Sequence, residues 1–339
     1  MQVRARAPVR FCDLGGWTDT RIVPEGAVLN FTARMYTYVT LTVHEGPSGV
    51  TLESLDTDER CSFNDLRQVE YNGVLDLLKA AVARSGIEIR RHGVFSTHLQ
   101  ISLQVRSSAP PASGLGSSAA LGVAAIGSLA RYCGGHLLPH EIARESQLLE
   151  VENLKLECGV QDQLASAYGG VNFMEVEYPN ARIFPIHLDQ SLICELEDRF
   201  VLVYTGKSHF SSGMHQKVIA EAGEHRADFD ALAAAAVAGK EALLSRDFEG
   251  FGAAMNANWA AQKRLHPDIT TPEIEALHQA AFQCGALGFK ANGAGGGGTV
   301  TILADRNRAH QIGQAAQELG MTVLPALIDT TGLQVWKAE

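Results

Sequence analysis

The sequence predicts an α+β protein of two domains, and three observations carry that expectation. At 339 residues the chain exceeds the ~100–200 residues of an ordinary domain and suits two. Strand-like and helical runs are mixed without the regular β–α rhythm of a doubly wound parallel sheet. The glycines, 33 in all, are densest in two loops, one in each half of the chain. The boundary falls within 185–198, giving domains of 1–190 and 191–339 and one site completed by loops from both.

The elements follow in order. Val3, Ala5 and Ala7 alternate with Arg4 and Arg6 as a strand that Pro8 interrupts, before a Gly-rich turn at Leu14–Trp17. Tyr36–Val43 is β-branched and aromatic, a second strand. Gly73–Ala83 has helical spacing, and His98–Val105 alternates as a strand. A Pro/Gly/Ser loop over Ser107–Ser118 feeds a small-residue helix, Ser117–Tyr132. A glutamate-rich helix spans Glu141–Leu154 after Pro139. Tyr168–Met174 turns into a strand, Pro179–Asp189 is of mixed polarity, and Phe200–Tyr204 reads as a buried strand. Asp228–Leu244 and Phe248–Arg264 are helical, and Thr271 opens a third helix with Glu273 near its positive end. A glycine run at Asn292–Gly298 leads into the strand Thr299–Leu303. The helix Arg308–Leu319 and strand character near Val323 and Val335 complete the chain.

Composition narrows the function. With 46% hydrophobic and 19% charged residues the chain is an ordinary globular protein, and its net charge of −10 gives no general attraction for nucleic acid or anionic membrane. Phosphate must be bound locally. The six cysteines form no C-x-x-C pair or zinc spacing, and read as buried small residues of a reduced, cytoplasmic protein. MQVRARAPVRF has no apolar signal core, and the small-residue stretch Ala119–Ala130 is too short to span a bilayer.

Gly114-Leu-Gly-Ser-Ser-Ala119 lies between a predicted strand and a predicted helix, where small residues and free helix amides admit phosphate. The same loop also reads as tight packing. It is not a Walker A loop, having no Gly-Lys-Ser/Thr at the required spacing. It satisfies G-x-G-x-x-A, and Gly293–Gly298 satisfies G-x-G-x-x-G, the dinucleotide fingerprint. That context fails: the second loop enters a strand, the first is followed by two helices, and the β–α–β unit with its acidic residue is missing.

Three segments in order then resemble the GHMP kinase superfamily of small-molecule kinases: Ala7–Asp19, Pro110–Ala120 and Lys290–Gly298. Gly26–Asn30, Gly159–Gly170, Tyr204–Gly206 and Trp259–Leu265 resemble its heptose 7-phosphate kinase and fucokinase branch, from whose usual phosphate loop the chain departs at Ser108 and Ala112. The resemblance implies the two-domain GHMP fold with its site in the inter-domain cleft, and ATP and Mg²⁺ as cofactors. The loop residues Pro111, Ser113, Gly114, Leu115, Gly116, Ser117, Ser118 and Ala119, with Gly295 and Gly296, would hold the nucleotide. Ser118 and Glu150 would hold the metal. Asp162 would take or orient the acceptor's proton with Arg10 as partner, and Gly16, Trp17, Asp19, Gly169 and Gly170 would meet the sugar. Taken singly, Asp162 also reads as a helix cap, Glu150 as a solvated glutamate, Arg10 as a surface arginine, Asp19 as a turn residue and Trp17 as a loop aromatic.

The implied reaction phosphorylates an anomeric hydroxyl, on D-glycero-D-manno-heptose 7-phosphate first, with L-fucose or another unphosphorylated sugar as the alternative. A catalytically idle binding protein on the same fold is the alternative of another class. Arg21, Lys207, His209, Lys263 and Arg264 are the cations available to a distal phosphate. The expected partner is this small molecule, with no nucleic acid and no membrane.

Overall fold

The computed structural model describes residues 1–66, 69–87, 90–91, 97–207 and 211–338. The first lobe is built on a large sheet. Its strands are β1 (Gln2–Leu14), β2 (Gly26–Glu45), β3 (Gly49–Ser54), β4 (Glu59–Phe63), β5 (Arg90–Arg91), β6 (Thr97–Ser107), β7 (Val171–Glu177) and β8 (Asn180–Ile186). The second lobe's sheet has β9 (Phe200–Tyr204), β10 (Ala286–Ala291), β11 (Thr299–Ala304) and β12 (Thr322–Leu324) in the order β10-β11-β9-β12, all antiparallel. The last strand, β13 (Gln334–Ala338), returns to the first lobe and pairs with β1. Along the main path the first sheet runs β13-β1-β2-β6-β3-β4, with β3 parallel to β6.

The helices are α1 (Asp76–Arg84), α2 (Ser117–Tyr132), α3 (Pro139–Leu148), α4 (Gln161–Tyr168), α5 (Gln190–Arg199), α6 (Ser211–Glu221), α7 (Arg226–Leu244), α8 (Phe248–Arg264), α9 (Pro272–Gln283) and α10 (Ala309–Glu318). Their ends follow local chemistry. Glu141 accepts from the Leu138 amide at 2.7 Å beside Pro139 to start α3, and Thr271 accepts from the Ile274 amide at 3.3 Å to start α9.

Two expectations are corrected. β1 continues through Pro8, whose missing N–H is absorbed where the register with β2 shifts between Pro8 and Val9. The glutamate-rich helix stops at Leu148 and widens into a π-helical turn over Leu149–Asn153, which carries Glu150. Across the 190/191 boundary the two lobes are in contact. Phe11 and Phe31 of the first sheet pack edge-on against Phe200 of β9, at ring distances of 5.4 and 5.3 Å, and Phe31 also meets Phe251 of α8 at 5.9 Å. The lobes thus share apolar core, and β13 ties the end of the chain to its beginning.

Candidate active site

The two glycine loops interlock. Gly114, at φ 74°, lies where a Cβ would come within 2.9 Å of the Asn292 carbonyl oxygen, and a Cβ on Gly298 would come within 2.6 Å of that of Ser113. The Thr299 hydroxyl donates to the Ser113 carbonyl at 2.9 Å. The Asn292 side chain accepts from the Cys12 amide at 3.0 Å, joining the end of β1 to the same junction.

Gly116 caps α2 in the left-handed region at φ 72°, with no side-chain hydrogen bond closing the helix start. The first-turn amides and the positive end of the helix are therefore available to an anion. A Cβ on Gly116 would stand 2.9 Å from Asp162 Oδ2. Gly116→Ala is expected to lower kcat/KM at least about 10²-fold, because it strains the loop and displaces Asp162 together. Steady-state kinetics on the purified variant checks it.

A line of buried charge runs beneath the loops. Arg10 grips Asp162 with two hydrogen bonds, Nε to Oδ1 at 2.8 Å and Nη2 to Oδ2 at 3.0 Å, while Nη1 donates to the Gly114 carbonyl. Arg10's side chain is 5% exposed and Asp162's 27%, so the pair is anchored in the protein and opens to the cleft at its carboxylate end. Behind it lies Asp13, which accepts from Lys290 Nζ at 2.9 Å and from the Gly293 amide at 3.2 Å. Burial acts to raise Asp13's pKa, but Lys290 and Arg10 hold it below the usual carboxylate range. Arg10 is held charged by Asp162 and Asp13 against the opposing effect of burial.

Asp19 sets α4 in place. Its Oδ2 accepts from the Val160 and Gln161 amides at 2.9 and 3.1 Å, one residue before Asp162. Gly159 permits this approach, since a Cβ there would lie 1.8 Å from Oδ2. Burial and the nearby Asp162 raise the pKa of Asp19. Glu150 accepts from Gln163 Nε2 at 3.1 Å, and burial followed by the charge of Asp162 pushes its pKa up to about 7.

One cleft is lined by Arg10, Trp17, Asp19, Gly114, Gly116, Ser117, Ser118, Glu150 and Asp162, all expected from sequence. Pro111, Ser113, Leu115 and Ala119 build the loop without lining the cleft; the Leu115 carbonyl accepts from the Arg10 amide at 2.9 Å. Gly16 packs on Asp13, and the Gly296 amide donates to Ile269 at 2.7 Å beside Gly295, so Gly293 and Ala294 face the cleft instead. Gly169 and Gly170 do not reach the cleft. Gly170 donates to the Asp329 carbonyl at 2.9 Å, and a Cβ on Gly169 would strike the Gly332 nitrogen at 2.1 Å, which makes them the joint for the C-terminal segment.

The sequence reading missed the site roles of Asp13, Lys290, Gln161, Gln163, Glu157 and His215. For Asp13, Gln161, Gln163 and Lys290 a signal existed, as all four fall inside the motif segments. Most cations expected at a distal phosphate are occupied: Lys207 by Glu273 at 2.5 Å, Lys263 by Glu275 at 3.1 Å and Arg264 by Asp228 at 2.6 Å. Arg21 pairs with Glu157 at 2.6 Å at the cleft edge, and His209 lies outside the described residues.

The donor set fits Mg²⁺ shared with a nucleotide. Ser118 is exposed in the first turn of α2 and Glu150 lines the same cleft, two hard oxygen donors of the kind Mg²⁺ takes when phosphates and waters supply the rest. Among the described residues no group of three or more His, Cys, Asp or Glu is disposed to hold a metal unaided, and no helix is long and apolar enough to cross a membrane.

Family comparison decides what this geometry belongs to. The GHMP kinases N terminal domain matches residues 74–170, and the GHMP kinases C terminal domain matches 240–320. The chain belongs to the GHMP kinase family. This kinase is 28% identical to D-glycero-alpha-D-manno-heptose 7-phosphate kinase of Campylobacter jejuni, over 99% of each chain. It is 27% identical to L-fucokinase/L-fucose-1-P guanylyltransferase of Bacteroides fragilis, covering 89% of this chain and 34% of that protein. The solved D-glycero-D-manno-heptose 1-phosphate kinase of Bacteroides thetaiotaomicron shares the fold with a TM-score of 0.78 and 24% identity, over 99% of both chains.

The raised pKa of Glu150 carries a stability consequence in this kinase. The folded state holds the proton more tightly than the unfolded chain, so the penalty is absent below the ordinary glutamate range and complete above about 7. Glu150→Gln is therefore expected to stabilise the ligand-free protein at pH 8 by at most about 3 kcal/mol, with a smaller gain at pH 5, while activity falls. Urea midpoints at the two pH values check it.

Proposed function

We propose that this ATP-dependent sugar kinase phosphorylates an anomeric hydroxyl, with D-glycero-D-manno-heptose 7-phosphate as its acceptor and the 1,7-bisphosphate as product. The observation that carries the reading is Asp162, gripped by the buried Arg10 at the point where the open start of α2 meets the Asp19 segment. Likeness to the heptose 7-phosphate kinase over the whole chain supports the acceptor.

The residues divide the work. The α2 amides and the Gly114–Ser118 backbone receive the nucleotide phosphates. Mg²⁺ held by Ser118 and Glu150 would supply countercharge to the phosphate oxygens when bound. Asp162 accepts the hydrogen bond of the anomeric hydroxyl and takes its proton as the new O–P bond forms and the bond to the ADP oxygen breaks. Arg10 holds Asp162 in orientation through its two hydrogen bonds. Asp19 fixes the turn that presents it, and Trp17 offers an apolar wall to the sugar.

A second reading, an unphosphorylated sugar such as L-fucose, is favoured by the ion pairs that occupy Lys207, Lys263 and Arg264. ADP release across a panel of free and 7-phosphorylated sugars tests both. Turnover with the heptose 7-phosphate supports the first; turnover confined to free sugars replaces it with the second; ATP left unconsumed with every sugar overturns both in favour of a binding protein.

A further inference from the structure

We propose that Arg21 and His215 form the subsite for the acceptor's distal phosphate, with the Glu157 carboxylate standing in for that phosphate when no sugar is bound. The inference rests on the acceptor reading above and adds the residues that would select it.

A continuous set of contacts leads away from the sugar wall. The Trp17 and His215 rings meet edge to face with centroids 4.8 Å apart. His215 Nδ1 lies 3.1 Å from the Glu157 carbonyl oxygen, which only accepts, so Nδ1 carries the proton and Nε2 is the ring nitrogen left for a ligand. Trp17, Glu157 and His215 all line the cleft. Glu157 in turn holds Arg21: Nε donates to Oε1 and Oε2 at 2.8 and 2.7 Å, and Nη2 donates to Oε1 at 2.6 Å. Nη1 has no protein partner among the described residues.

The chemistry matches a phosphoryl group. A guanidinium that presents adjacent N–H groups to two carboxylate oxygens presents them equally to two phosphate oxygens, and the dianion binds more strongly. Exchange is cheap, because the Arg21 and Glu157 side chains are 54% and 36% exposed and such pairs contribute little. The other charged wall of the cleft offers no alternative. Arg10 is spent on Asp162, and Asp19, Glu150 and Asp162 repel an anion. An incoming 7-phosphate would displace Glu157 and take Arg21, and it would accept a hydrogen bond from His215 Nε2 in the doubly protonated form of the ring.

The test is the ratio of kcat/KM for heptose 7-phosphate to kcat/KM for the same heptose without phosphate. Arg21→Ala is expected to lower that ratio about 10- to 100-fold, the loss of a hydrogen-bonded charge partner. Glu157→Gln frees the guanidinium and removes a competing negative charge, so it is expected to raise the ratio. These opposite signs are not what two merely structural changes would produce. A ratio unmoved by Arg21→Ala, or lowered by Glu157→Gln, overturns the subsite even where wild type prefers the phosphorylated sugar. A wild-type enzyme that uses only the unphosphorylated heptose overturns the subsite and the acceptor reading together.

Discussion

Asp162→Asn is expected to lower kcat about 10²- to 10⁴-fold while leaving ATP affinity nearly intact. The substitution keeps size and shape but removes the carboxylate proposed to take the acceptor's proton. It also takes one of two charged acceptors from Arg10, whose remaining contacts are the Gly114 carbonyl and Asp13, so the guanidinium stays in place with a weaker grip. Single-turnover kinetics paired with calorimetric nucleotide binding separates the two effects. Turnover at the wild-type rate would remove Asp162 from the chemistry.

The largest stability effect is expected at Lys290. Its side chain and that of Asp13 are each 1% exposed and lie 2.9 Å apart. Lys290→Met leaves Asp13 buried with Arg10, 3.9 Å away, as its remaining cation among the described residues, a loss of about 3–5 kcal/mol by urea denaturation. Adding Asp13→Asn is expected to recover part of that loss, since two neutral groups no longer oppose burial. Because Asp13 also holds the Gly293 amide, the single variant should lose activity as well. A Lys290→Met protein as stable as wild type would contradict a stabilising role for this buried pair between β1 and β10.

Much of this architecture was legible wherever local chemistry decides structure. Helices α2 and α8 begin and end where their small-residue and apolar spacing stops, at Ser117–Tyr132 and Phe248–Arg264. The cleft-lining loop was legible from small residues set between a strand and a helix, with the choice between phosphate binding and tight packing made by its resemblance to the family motif. What escaped reading depends on partners far along the chain. β10 was not anticipated, since Lys290 breaks its apolar run and becomes tolerable only through Asp13, 277 positions away. The 8-residue α4 was too short for periodicity to reveal, although it bears Asp162. Gly169 and Gly170 resembled substrate residues but serve the packing of a segment that returns from the C-terminus, and no local pattern announces that. Tertiary contacts also turn β1 past Pro8 and widen the helix at Glu150.

The central claim is that one cleft, completed by glycine loops from both halves, moves phosphate from ATP to the anomeric oxygen of a sugar. Phosphorus NMR of the product formed from ATP and D-glycero-D-manno-heptose 7-phosphate, with Asp162→Asn as control, tests it most directly. The expected result is a second phosphate signal coupled to the anomeric proton, appearing with one ADP per sugar and absent in the control over the same time. A phosphate on any other oxygen, or the same signal formed as fast by the control, would contradict the account.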